Sequence, residues 1–300
     1  MHYPSSQPAA SPPDNKQQLA PRAIPTARLG RAIRLTLREG WDHLGIVMAV
    51  SATWLALFAV PLYIGRLLPV GLPLTIRYAI VLLACALALS APLAGAHDVA
   101  RRIVAHDEVS YLDFWRGARR LAGPATRLGL VQLIALGIFA TNFWFYIHLN
   151  GTYPSGFVAR VAIFICFYVF LAWGMMTSLH YPILVAQEAG VFDEQELLAR
   201  RGALAALRRA FFLALGRPFY TLGLLLIEAV TTIAFAATGV LLALFWVGGI
   251  ALLNTQATHL LLVQYGVLPQ PPIEDAIPDE QFRIPREVGT RKRQEDSPLS

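Results

Sequence analysis

From Phe219 to Tyr265 the chain reads FYTLGLLLIEAVTTIAFAATGVLLALFWVGGIALLNTQATHLLLVQY. A helix that crosses a membrane takes roughly 20 mostly apolar residues, because the hydrocarbon core is about 30 Å thick. This stretch is more than twice that length and contains one charged side chain, Glu228. It is too long for one crossing and right for two. Thr238–Gly239 offers a break that leaves two helices of ordinary length, and Gly248–Gly249 is an alternative turn. The split matters because it sets the parity of the whole chain: with it, both termini lie on one side.

Four further apolar blocks meet the length for a span: Leu44–Gly65, Leu74–Ala96, Leu128–Leu149 and Phe157–Gln187. The sequence therefore predicts an all-α, polytopic transmembrane helical bundle with six spans. Their expected limits are about 44–65, 74–96, 128–149, 157–187, 219–241 and 243–265. The fourth block exceeds what a bilayer needs, and Pro182 near its inner end predicts a kink or an extension beyond the membrane.

Composition agrees. Of 300 residues, 56% are apolar and 15% charged, and the mean hydropathy is +0.51. A typical soluble domain is roughly 45–50% apolar and about 25% charged. These values exclude an ordinary soluble domain and a chain disordered over most of its length. The two cysteines, Cys85 and Cys166, sit inside apolar runs, which excludes a disulfide scaffold.

The basic residues fall on alternate loops. One side receives Lys16, Arg22, Arg28, Arg31, Arg34 and Arg38 before the first span, and Arg101, Arg102, Arg116, Arg119, Arg120 and Arg127 in the second loop. The same side receives Arg200, Arg201, Arg208, Arg209 and Arg217 in the fourth loop, and Arg283, Arg286, Arg291, Lys292 and Arg293 in the tail. Only Arg66, Arg77 and Arg160 fall on the other side. Cytoplasmic loops carry the Lys/Arg excess, so both termini are expected in the cytoplasm. The net charge of +6 then reflects topology and contact with anionic inner-leaflet lipids. The basic residues are spread over four segments without a nucleic-acid module, so no nucleic-acid partner is expected. Aromatic belts are expected from Tyr63, Trp144, Tyr146 and Tyr153 outside and from Trp41, Trp115, Tyr181, Tyr220 and Tyr265 inside.

Residues 1–25 are rich in Pro, Ser, Gln and Ala and lack the apolar core of a signal peptide. They read as a disordered cytoplasmic tail, and 269–300 read likewise, with a short turn near Phe282. The membrane domain is expected over 26–268.

Three segments that precede odd-numbered spans look alike. Arg31–Gly40 leads to Leu44-Gly45, Arg116–Gly123 to Leu128-Gly129, and Ala206–Gly216 to Leu222-Gly223. Each reads as an amphipathic helix with arginines, a glycine break, then a span. A pseudo-threefold repeat gives this pattern, and so does the shared need for arginine outside and a break at the interface. The helices are expected in the inner interface. Within 107–121, Val109, Phe114, Trp115, Ala118 and Leu121 would face the acyl region and Arg116, Arg119 and Arg120 the headgroups. Asp107-Glu108 and Asp193-Glu194 suit helix N-termini, where the dipole favours negative charge. Ala84, Ala88, Ala91 and Gly95 form a small-residue packing face.

Glu228 is the acid placed well inside a span, about 13 Å deep at 1.5 Å per residue. A carboxylate there is costly unless paired or protonated, so it is a candidate site. Asn254 and Gln256 of the sixth span are the candidate partners for an intramembrane polar site. Thr255, His259, Thr231 and Thr232 are further neighbours. The functional reading is a proton- or cation-coupled site; the structural one is a hydrogen bond between helices. His180, with Thr177 and Ser178, reads as interhelical hydrogen bonding.

His97-Asp98 and His106-Asp107 invite a metal reading. Nine residues turn a helix by about 900°, which puts the two pairs on opposite faces. No metal and no cofactor are expected, and both pairs are expected as solvated ends. There is no phosphate-binding Gly-rich loop, no Gly-x-Ser-x-Gly and no zinc spacing, and the loops are too short for a folded catalytic domain. A non-enzymatic protein is expected.

The stretch Ala91-Pro92-Leu-Ala-Gly-Ala-His-Asp-Val-Ala-Arg101-Arg102, followed by Asp113-Phe114-Trp115-Arg116-Gly117, resembles the YesL-like family of bacterial integral membrane proteins. Tyr181-Pro182-Ile-Leu and Leu213-Ala-Leu-Gly216-Arg217-Pro218 are similar to that family's second cytosolic loop. The resemblance covers roughly 35–265 and departs near 61–75 and in both tails. It implies a bacterial inner-membrane protein in an accessory or scaffold role, with carbohydrate-uptake transporter subunits as partners, and it supplies no catalytic residues. The rival expectation from the residues is a small solute permease with its site at Glu228.

Overall fold

The structure is a computed structural model that describes residues 27–69, 71–152, 156–192 and 202–269. The tail expected at 1–25, all but the first residue of the tail expected at 269–300, Tyr153, Asp193-Glu194, Arg200 and Arg201 lie outside the described residues. The described residues are all-helical, with no strand. The helices are α1 (Leu29–Asp42), α2 (Leu44–Leu67), α3 (Leu74–Val104), α4 (Tyr111–Thr152), α5 (Gly156–Glu188), α6 (Ala203–Gly216), α7 (Pro218–Thr238) and α8 (Val240–Gln264). Six of them, α2 to α5, α7 and α8, are long and apolar enough to cross a membrane. The chain is a multi-pass helical membrane protein.

The long apolar stretch divides at Gly239, whose φ of +59° is left-handed. Glycine takes that conformation without a Cβ clash. The alternative, Gly248–Gly249, lies inside α8. Gly248 is instead a contact point: a Cβ there would come within 2.6 Å of the Val47 carbonyl oxygen. Its N–H reaches the Ser51 hydroxyl at 2.9 Å, so α2 and α8 meet backbone to backbone. Pro182 does not end α5, which runs on to Glu188.

The arginine-bearing helix ends gather at one end of the bundle. The Ala27 N–H donates to Gln264 Oε1 at 2.9 Å, joining the start of α1 to the end of α8. Arg209 of α6 lies over the Phe192 ring at 4.1 Å, joining α6 to the end of α5. This is the basic end below.

The three amphipathic segments are not equivalent. α1 and α6 are separate helices, parted from their spans at His43 and Arg217. The second segment is the front of α4, which continues through Gly123 and Pro124 into the span. It is no separate interfacial helix. Its first half packs on α3, where Phe114, Ala118 and Leu121 are buried by protein rather than by acyl chains. That packing keeps the helix running past a residue that lacks an N–H. α4 starts at Tyr111, with Asp107 and Glu108 exposed in the preceding loop. Asp113 takes the role expected of them: its Oδ2 accepts the Ser110 N–H at 2.9 Å, while Ser110 Oγ accepts the Leu112 N–H at 3.3 Å. This reciprocal cap satisfies two N–H groups at a helix start.

Small residues set the α3–α4 spacing, and Gly95 of the expected stripe is among them. Ala88 is exposed. The close contacts are at Gly95, where a Cβ would come within 2.6 Å of the Phe114 carbonyl oxygen, and at Gly117, where it would come within 2.8 Å of Asp98 Oδ2. A Cβ at Gly129 would overlap Ser90 Oγ.

Candidate functional site

Polar side chains inside the bundle form three groups, stacked from the basic end inward. The outermost is centred on Asp98, which is fully buried. Arg120 Nη2 donates to its Oδ1 at 2.9 Å. Arg101 and Arg102 approach it at 3.5 and 3.7 Å. Asp113 extends the network to Arg116 at 3.4 Å and to Arg102 at 3.9 Å. Gly117 leaves the room in which the Asp98 carboxylate sits. Asp98 is therefore no solvated end. It is the buried anion that holds the first turns of α4 against the last turns of α3.

The second group crosses from α3 to α5 and α8. His97 is buried, with Nδ1 3.2 Å from Thr255 Oγ1. Its ring stacks on Tyr181 with centroids 5.9 Å apart. Tyr181 and Tyr220 are both buried and take no part in an aromatic belt. The Tyr220 hydroxyl instead donates to the Ala257 carbonyl at 3.2 Å. Trp41, Trp115 and Tyr265 at this end are exposed, as are Tyr63 and Trp144 at the other. On the α4 side of α5, His180 Nδ1 lies 3.1 Å from Gln132 Nε2 and Trp173 meets the imidazole edge-on at 5.6 Å.

The third group is the deepest. Glu228 of α7, Ser178 of α5 and Asn254 of α8 converge. Glu228 lies ten residues from the first residue of α7, Ser178 ten from the last of α5, and Asn254 ten from the last of α8. Ten residues are about 15 Å of helix, so all three lie at a matching distance from the basic end. Ser178 and Asn254 lie within hydrogen-bonding reach of the Glu228 carboxyl, yet the buried Glu228 Oε1, Ser178 Oγ and Asn254 Oδ1 lack a hydrogen bond of good geometry. Lipid offers no partner for such atoms, and buried polar groups left unmatched are rare. Three convergent oxygens can share a proton or take an oxygen-seeking cation. Among the described residues, His, Cys, Asp and Glu do not gather in threes to hold a metal.

Of the expected site, Glu228 and Asn254 come together. Gln256 does not join them: two residues along a helix turn it about 200° away, and it is buried elsewhere against α8's neighbours. Thr255 serves His97. Thr232 Oγ1 accepts from Trp246 Nε1 at 3.0 Å, and His259 lies toward the basic end, facing His106 and Arg31. Ser178 belongs with Glu228, not only with His180. Its signal in the sequence was position alone, ten residues short of its helix end, which means nothing until α5 is docked on α7.

No protein-family model, curated protein or solved structure matches the chain.

Proposed function

We propose that this protein is a non-enzymatic accessory or scaffold subunit of a bacterial inner membrane, which holds a partner membrane protein on the far halves of α4 and α5. One observation carries this reading. Between Leu130 and Thr177 none of the described residues is buried. The two helices are zipped to each other by Phe139 and Phe143 against Phe170, with ring centroids 5.5 and 6.2 Å apart. Outward they present Ile134, Ile138, Phe164, Tyr168 and others, all exposed. The basic halves of the same helices are built into the core through Leu121, Leu128, Ile183 and Leu184. The hairpin is thus anchored at one end and free at the other, which is the form of a docking arm. Lipid alone covers apolar surface at no cost, so helix pairing there would rest on close packing.

The positive-inside distribution supports cytoplasmic termini and an inner-leaflet setting for the basic end. The resemblance to the YesL-like family supports carbohydrate-uptake transporter subunits as the partners to look for first. The test is purification of the tagged chain from native membranes in mild detergent, with mass spectrometry. A transporter subunit in stable proportion, lost when Phe164 and Tyr168 are changed to Leu while the chain stays folded, is the expected result. Recovery of the chain alone removes this reading.

A second reading, a small solute permease, draws on the convergence of Glu228, Ser178 and Asn254 inside the bundle. It predicts that Glu228→Gln abolishes solute movement in proteoliposomes with the folded yield unchanged. Transport that persists in the variant ends it. Loss of folded protein makes Glu228 a packing residue.

A further inference from the structure

We propose that the pocket between the basic ends of α3, α5 and α8 binds a small carboxylic acid with a short apolar body. The pocket has a volume of about 190 Å³. Arg101 of α3 and Thr255, Thr258 and His259 of α8 supply its polar groups. Val104, Pro182, Ala186 and Leu262 supply apolar walls. Neither reading of the overall function uses it.

Thr258 is the first reason to assign a ligand here. It is 2% exposed, and its Oγ1 has no hydrogen-bond partner among the described residues. The neighbouring hydroxyl, that of Thr255, is engaged with His97 at 3.2 Å. Buried polar groups are nearly always partnered, so a hydroxyl left over on a cavity wall points to something the cavity takes in.

The charge around the pocket is the second reason. Asp98 is shared by Arg101, Arg102 and Arg120, and Asp113 by Arg102 and Arg116, so two carboxylates serve four guanidinium groups. The place nearest Asp98 goes to Arg120 at 2.9 Å. Arg101 stands at 3.5 Å, and its buried Nε makes no hydrogen bond of good geometry. Arg101 is the member of this network that lines the pocket, and it brings part of the surplus positive charge there. Across from it, His259 faces His106 and Arg31, which add no negative charge. Asp107, Glu108 and Glu188 are exposed, and none of them lines the pocket.

Donors and walls together select the class. The Thr258 hydroxyl, the Arg101 guanidinium and the His259 imidazole can all donate, and no lining carboxylate competes for them. Three donors match the two oxygens of a carboxylate. A phosphate would bring more oxygens than these groups can pair, and burying unpaired ones is costly. The apolar walls are then covered by the hydrocarbon body of the acid, which gains by leaving water.

The experiment is a ligand-observed NMR titration of the full chain in detergent, with isovalerate as the probe and isovaleramide, its neutral counterpart, as the control. Isovalerate should bind saturably and about tenfold more tightly than the amide, because hydrogen bonds to a charged group are the stronger kind. Thr258→Val keeps the shape and removes the donor, so isovalerate binding should weaken about tenfold. Thermal stability without the acid should not fall in that variant, since the hydroxyl has no partner to lose. Ala105 lines the pocket and is exposed, and Ala105→Trp should cover the opening and abolish binding. Equal binding of acid and amide overturns the proposal, as does unchanged affinity in either variant. Displacement of isovalerate by inorganic phosphate at equal concentration also overturns it, because the apolar walls would then play no part. If Thr258→Val does lose stability, its hydroxyl serves the fold and Ala105→Trp decides alone.

Discussion

α8 and the far halves of α4 and α5 are opposite solutions to one solvent. α8 is the least hydropathic of the six spans, with a best-window mean of 1.2, and 72% of that window is buried in protein. α5 has a mean of 2.0 and only 6% buried. In water the order would be reversed, because burial there follows apolarity. In a bilayer the apolar side chain loses nothing by facing lipid, and the polar one has no partner outside the protein. Asn254, Thr255, Gln256, Thr258 and His259 therefore draw α8 to the middle of the bundle, with every one of these but the last buried. α5 keeps its buried polar groups, Ser178, His180 and Gln187, to its basic end and leaves its far half unburied by this chain.

The comparison can be broken most forcefully at α8. Gly248→Leu places a side chain where a Cβ already meets the Val47 carbonyl. Overpacking of this kind costs about 3 kcal/mol, and the folded fraction in a thermal or denaturant titration should fall sharply. Unchanged stability would mean that α2 and α8 are not locked at that point.

A smaller loss is expected at the basic end. Asp98→Asn leaves Arg101 and Arg120 without their anion and Arg102 with Asp113 alone. Removing one partner of a fully buried pair costs about 3–5 kcal/mol. Here the arginines are 27% to 47% exposed and can turn to headgroup phosphate, so about 2 kcal/mol is the expected loss. Rising salt should destabilise the unaltered chain less than it would an exposed network, because Asp98 is shielded. Stability unmoved by Asp98→Asn would show that α3 and α4 are held by Gly95, Gly117 and Gly129 alone.

The smallest effect belongs to the hairpin. Phe164→Leu exchanges one lipid-facing apolar group for another, and within about 0.5 kcal/mol the stability should not move. A large loss would place Phe164 in a packed interface, and that would sharpen the docking reading into an obligate partner.

Glu228 was legible as a site because one acid in a long apolar run stands out without any structure. Asn254 was legible because it is the amide at matching depth. Gln256 misled, since spacing of two on a helix reverses direction, and the sequence does not say which face of α8 meets α7. The Asp98 network was hidden for another reason. His97 and Asp98 lie past the apolar block, where a hydropathy reading places solvent, yet α3 runs on to Val104. A helix end that leaves the hydrocarbon can still be buried by a neighbour, here the first turns of α4. Tyr181 and Tyr220 were misassigned on the same ground, as depth in the membrane was read as exposure to it.

The number of spans, their even parity and the gathering of arginines at one end follow from the sequence by itself. Those features depend on transfer of each segment between water and hydrocarbon, a property that segments carry singly. Which face of each helix meets protein, that the second amphipathic segment continues into its span, and that Ser178 joins Glu228 were decided only by tertiary structure. Lipid and a neighbouring helix are equally apolar surroundings, so hydropathy is blind to the choice between them. Close backbone approach at glycines and the pairing of scarce polar groups make that choice.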